Sequence, residues 1–135
     1  MQMSPSTRHT ILIPVSIGEL ADKLSILEIK AARIDDAGKR AHVQVELEGL
    51  RTLWDAQVAA QADLAGMKDQ LRAINERMWD VQDALRAKEA AQLFDADFVE
   101  LARSVARHNG ERIQVKNAIN RLAGSRFIEE KQYQA

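Results

Sequence analysis

The chain contains no cysteine. It therefore forms no disulfide and carries no thiolate nucleophile or cysteine-bound zinc. Proline occurs only at Pro5 and Pro14, so nothing beyond position 14 carries the strongest helix breaker. Aromatic residues make up 4% of the chain, and its six glycines are scattered. No phosphate-cradling glycine motif and no Gly-x-Ser-x-Gly nucleophile elbow occurs. The scarcity of strand-like sequence excludes a doubly wound nucleotide fold as well. Neither sign of charge dominates: 19 Lys and Arg stand against 20 Asp and Glu, a net charge of −1. That balance argues against a broad electrostatic grip on nucleic acid, although it leaves room for a local basic patch. No apolar run approaches the roughly 20 residues of a membrane span. Ile11-Leu12-Ile13 is too short for the apolar region of a signal peptide. The expectation is a cytoplasmic protein. Its 135 residues suit one domain, and 46% hydrophobic residues can build a core without staples.

What remains is helical sequence, and the expected fold is all-α. Residues 1–9 read as a disordered arm and 10–135 as a single helical domain. Thr10–Ile13 is a short β-prone run ended by Pro14. Ser16 and Glu19 have the spacing of a capping box and open a first helix, with Val15 and Leu20 at the staple positions. Its apolar stripe runs Ile17, Leu20, Leu24, Leu27, Ala31 and Ile34, widened by Ile26 and Ile29 toward two neighbours. The helix should end near Asp35-Asp36, with Gly38 in the turn.

A second, very long helix is predicted over about 40–90. Its 3-4 seam runs through Leu50, Leu53, Gln57, Ala60, Leu64, Met67, Leu71, Ile74, Met78, Val81 and Leu85, and only Gly66 weakens it. A break at Gly66 would instead give a compact four-helix bundle. A third helix starts at Asp95, with Phe94 and Val99 as staple, and ends before Gly124. Asn109-Gly110 is a turn dipeptide that could interrupt it, against the continuous seam. Short turns make sequence neighbours antiparallel. The first helix should therefore lie along the first half of the long one and the third along its second half. The start of the first helix then meets the end of the third, which brings the Thr10–Ile13 strand close enough to pair with the 126–133 tail. Two-helix cross-sections along such a rod leave apolar surface in water, so a homodimer is expected if the long helix is continuous, whereas a compact bundle could be a monomer.

The three histidines, His9, His42 and His108, lack the Glu-x-x-His spacing of a di-iron bundle, and no metal or other cofactor is implied. Polar residues at helical spacing are the remaining candidates. Asn75, Trp79, Asp83 and Arg86 share one face of the long helix, and Arg72 begins the row. A Trp among Asn, Asp and Arg can stack a ring and hydrogen-bond its rim. Arg103, Arg107, His108, Asn109, Arg112 and Lys116 form a cationic strip on the third helix. His108 and Arg112 fall in its apolar seam, where a polar group is costly unless paired. On the first helix Glu19, Lys23 and Lys30 lie on one side, near Asp22, Ser25 and Glu28. The plainer readings compete: Asp83 with Arg86 makes a surface ion pair, Trp79 flanks the core, and His108 and Arg112 pair across the helix interface to fix register.

The stretches from Ile13 to Lys30, Ala73 to Asp83, Phe98 to Val105 and Glu129 to Tyr133 resemble a bacterial family known as a domain of unknown function. The likeness covers nearly the whole chain from about residue 11, and the start Ile13-Pro14-Val15-Ser16-Ile17-Gly18-Glu19-Leu20 is its most specific part. The resemblance implies an association with cell-surface polysaccharide assembly, beside or fused to whose proteins relatives occur. It carries over no activity, cofactor or catalytic residue. Gln82 is a departure, because the resemblance implies an acidic residue beside Asp83.

Two functions follow as expectations. The first is a helical interaction module that oligomerises through its heptad seam, with Trp54 or Trp79 as an exposed anchor for a protein partner. The second is a small all-α enzyme or binder of an anionic metabolite. There Lys23, Arg86, Arg103 and Arg112 would supply charge, Asn75 and Asp83 would orient the ligand, Trp79 would stack on it, and Asn109 is a further candidate contact.

Overall fold

The computed structural model describes residues 9–58, 61–125 and 130. The chain is all-α with four helices: α1 (Ile17–Arg33), α2 (Ala37–Val58), α3 (Ala62–Ala90) and α4 (Ala96–Ala123). The expected disordered arm falls outside the described residues except for His9. The 126–133 tail does so except for Glu130. Thr10–Ile13 is not a strand.

The single long helix is replaced by α2 and α3. Gly66 sits exposed inside α3; α2 ends at Val58 and α3 begins at Ala62, with Gln61 before it extended. No glycine or proline accounts for the change of helix, and the sequence there is rich in alanine. The reason lies in the direction of burial. Leu47, Trp54 and Val58 are the buried side chains of α2, whereas Leu64, Leu71, Ile74, Asn75 and Met78 are those described in α3. At 3.6 residues per turn, one straight helix would aim those two sets about 120° apart. Breaking the helix lets Leu47, Trp54 and Val58 share one core with Leu64, Leu71 and the leucines of α1. The expected seam is therefore out of phase in α2: Leu53 is 51% exposed, and Trp54, expected as an exposed anchor, is buried at 8%.

Local signals account for most helix ends. Ser16 caps α1 by accepting from the Glu19 N–H at 3.0 Å. The helix stops at Arg33, two residues earlier than expected, because Asp36 caps the next one, its Oδ1 accepting from the Lys39 N–H at 2.8 Å. Gly38 thus lies in the first turn of α2. Asp95 caps α4 by accepting from the Phe98 N–H at 2.9 Å, and the same carboxylate takes the Lys88 ammonium at 3.0 Å. Gly124 closes α4 in the left-handed conformation, φ 71°. Asn109-Gly110 does not interrupt α4. The expected staples are open: Val15, Phe94 and Val99 are all exposed, and Phe94 instead meets Phe98 edge-on at 5.2 Å.

Helix α1 is the hub. It packs against α2, α3 and α4, and α3 packs along α4. Leu20, Ala21, Leu24 and Leu27 of α1 form the core with Leu47, Trp54, Val58, Leu64, Leu71 and Ile119. Against α4 it runs antiparallel, since Gly18 meets Asn120, Glu19 meets Lys116 and Asp22 meets Arg112. Against α3 its pairings do not advance in one direction: Asp22 meets Asn75, Glu28 meets Lys68, and Arg33 meets Asp80. That is the pattern of a helix crossing its neighbour. The start of α1 does meet the end of α4, where Gly18 touches Asn120.

Candidate functional site

The convergence of α1, α3 and α4 holds a buried polar cluster centred on Asp22, whose side chain is 4% exposed. The helical register puts Asp22 and Ser25 on the flank of α1 next to its leucine face. Arg112, projecting from α4, grips the carboxylate as a fork, Nε to Oδ1 at 2.9 Å and Nη2 to Oδ2 at 2.5 Å. The Asn75 amide, from α3, donates to Asp22 Oδ1 at 3.0 Å and to Ser25 Oγ at 2.8 Å. Ser25 Oγ in turn donates to the Asp22 carbonyl at 2.8 Å. Three helices are thus tied through one carboxylate.

The cluster continues one turn toward the base of the bundle. Lys116 is 4% exposed, and its Nζ lies 2.5 Å from Glu19 Oε1 and 4.0 Å from Asp22 Oδ2. The Glu19 side chain therefore reaches α4, and the expected capping box is used on its Ser16 side. Asn120, 2% exposed, accepts the Gly18 N–H at 2.7 Å through Oδ1. Among the described residues, two cations, Arg112 and Lys116, face two anions, Asp22 and Glu19. A buried ion pair stabilises weakly because desolvation offsets attraction, but breaking one side of it is costly. Geometry of this kind specifies which helix faces meet and in which register.

The residues expected to bind a ligand separate. Asn75 and Arg112 meet on Asp22. Lys23 pairs with Glu46 at 3.0 Å on the surface. Trp79 is half-buried under the Arg33 guanidinium, 5.9 Å from the ring centre, and Arg33 also pairs with Asp80 at 2.5 Å. Asp83 and Arg86 pair with one another in the open. Arg103 is exposed and Asn109 half-buried on α4. The sequence reading placed Asp22 and Ser25 only near the lysine row; two small polar residues between leucines on a helix with no capping role for them were the available signal. Gly18 and Asn120 carried none.

An open groove of about 330 Å³ runs between α1 and α2. Ile26 and Leu27 line it together with Glu19, Asp22, Lys23, Lys30 and Glu46. Both acidic and basic side chains line it. In the α4 seam, His108 Nδ1 is buried without a hydrogen-bond partner and lies 3.7 Å from Glu111 Oε1. Among the described residues no group of three or more His, Asp or Glu could hold a metal ion, and no helix is long and apolar enough to cross a membrane.

Residues 11–135 match DUF6165, a family of unknown function. No curated protein and no solved structure matches the chain.

Proposed function

From the premise that the chain belongs to the DUF6165 family of unknown function, we propose that it is a helical interaction module that pairs with a second copy of itself through the outer half of the α3–α4 hairpin. One observation carries this reading. Past Met78 on α3 and before Ser104 on α4, no apolar side chain is fully buried. The last contacts of α1 with this arm are Arg33 with Trp79 and Asp80. Beyond them Val81, Leu85, Phe98, Leu101 and Val105 are only half-buried, and Leu93, Phe94 and Val99 are 49%, 54% and 50% exposed. Two helices alone cannot close a seam of that width, and each such side chain fully buried adds roughly 1.5–3 kcal/mol. A second hairpin supplies the same kind of surface in return, as a two-fold interface requires.

Light-scattering mass and small-angle scattering test the reading. A mass near twice 15.1 kDa, with an elongated envelope, is expected for the full chain. The double variant Phe94→Ser, Val99→Lys changes only exposed side chains and should give a folded monomer. A wild-type monomer throughout the micromolar range refutes the proposal. The resemblance to proteins near surface-polysaccharide assembly makes a component of that machinery the heterologous partner to try next.

The anionic-ligand reading has less support. Arg112 and Asn75 are engaged by Asp22, Arg86 by Asp83 and Lys23 by Glu46. A ligand would have to displace each carboxylate.

A further inference from the structure

The stretch that leads into α1 leaves both its side chains and its backbone unused. Ile11, Leu12 and Ile13 are 86%, 88% and 70% exposed. Scattered exposed apolar residues need no explanation, but a contiguous run of them does. Among the described residues, the N–H and C=O groups of Ile11, Leu12 and Ile13 enter no backbone hydrogen bond. The stretch nevertheless leaves the bundle from a fixed point. Ser16 is buried and caps α1, and Gly18 donates its N–H to Asn120 Oδ1 at 2.7 Å.

The residue pattern limits what can cover it. Pro14 stops α1 from extending backward and biases Ile13 toward the extended region. The β-branched Ile11 and Ile13 favour a strand. In a strand successive side chains alternate, so Ile11 and Ile13 share one face and Leu12 takes the other. Both faces are then apolar. An antiparallel sheet with one wet face would leave one of them in water. A strand apolar on both faces suits a sheet that helices cover on each side. No strand exists among the described residues of this chain to supply such a sheet. The same residues of a second copy would make only a two-stranded ribbon, which is marginal in water. Pro14 has no N–H to donate, so it sets where a ladder would stop. We propose that Ile11–Ile13 is a docking strand that adds to the open edge of an α/β sheet in a different protein. Main-chain hydrogen bonds would supply the grip, and the two apolar faces would select a sheet flanked by helices. The inference is separate from self-association through the hairpin, which uses none of these residues.

The test begins with a benzoylphenylalanine photocrosslinker in place of Leu12, in the full chain inside the cells that make it. The protein it marks is then purified and mixed with the wild-type chain. Expected is an adduct on or beside an edge strand of an α/β sheet. In the reconstituted pair, amide exchange should slow by about tenfold or more at Leu12, or at Ile11 and Ile13, because only alternate residues face a ladder. Leu12→Pro or Ile11→Pro, whichever removes a protected amide, should weaken binding by about tenfold or more, whereas valine at the same position keeps it within about twofold. Adducts confined to this chain, a second copy, lipid or a helical surface overturn the proposal, as does the absence of any adduct. So does a complex in which none of the three amides slows, because the contact would then be apolar alone.

Discussion

The same substitution, glycine to alanine inside a helix, should change sign between α1 and α3. Gly18 lies where α1 and α4 touch. An alanine methyl there would be 2.5 Å from the Lys116 carbonyl oxygen and 2.8 Å from Asn120 Oδ1. Relieving the first contact requires moving α4 away by roughly an ångström, since carbon rests at about 3.5 Å or more from its neighbours. Overpacking of this kind costs about 1–3 kcal/mol. The same movement opens the hydrogen bond from the Gly18 N–H and leaves the buried Asn120 carbonyl short of a donor, at about 1–3 kcal/mol. Against this stands the helix preference for alanine, at most about 1 kcal/mol and less in a first turn. The net for Gly18→Ala is a loss of about 1–6 kcal/mol, centred near 3. Gly66 has nothing within 4 Å of its would-be Cβ, so Gly66→Ala keeps only the preference and gains about 0.5–1 kcal/mol. Urea unfolding followed by circular dichroism separates the two. With a slope of about 1–3 kcal/mol/M, the midpoints should differ by about 1 M or more, on opposite sides of wild type. A Gly18→Ala protein as stable as wild type would refute the close packing of α1 on α4, and with it the register of the whole polar cluster.

Three further outcomes follow from named contacts. Asp22→Asn leaves Arg112 and Lys116 facing a neutral amide and should cost about 2–3 kcal/mol, the low end for a broken buried pair because Arg112 is 28% exposed. Adding Arg112→Met should recover most of it in the same unfolding assay, and a single variant within about 0.5 kcal/mol of wild type would show that Asp22 is not the tie between helices. Gln92, in the α3–α4 turn, has φ 53°, so Gln92→Gly should raise stability by about 1 kcal/mol whereas Gln92→Ala should not. Asp95 is held below the usual carboxylate range, first by the Phe98 N–H and then by Lys88. Its folded value lies below its unfolded one, so its contribution is complete above the unfolded value and is lost as pH falls through the folded value. Wild type should therefore exceed Asp95→Asn in stability at neutral pH and converge with it in acid. An advantage that grows in acid would contradict the assignment.

Sequence alone determined the all-helical class, the caps at Ser16, Asp95 and Gly124, and the antiparallel order that brings the start of α1 to the end of α4. Each of these rests on interactions within one turn or on the shortness of a connection, which neighbouring residues dictate. The seam of α3 was legible for a similar reason, since Leu64, Leu71, Ile74 and Met78 repeat at helical spacing. The break between α2 and α3 was not. Residues 59–62 are alanines and a glutamine that favour helix locally, and only the demand that Trp54 and Leu64 share one core with the leucines of α1 outweighs that preference. The burial of Trp54 and the exposure of Leu53 follow from the same reorientation. The polar cluster was half legible: Asn75 and Arg112 stood out as polar residues on patterned helices, but their common partner did not. Asp22 is 53 residues from one and 90 from the other. A carboxylate that far along the chain is assigned its partners by the crossing of three helices, and that crossing is a property of the packed core rather than of any segment within it.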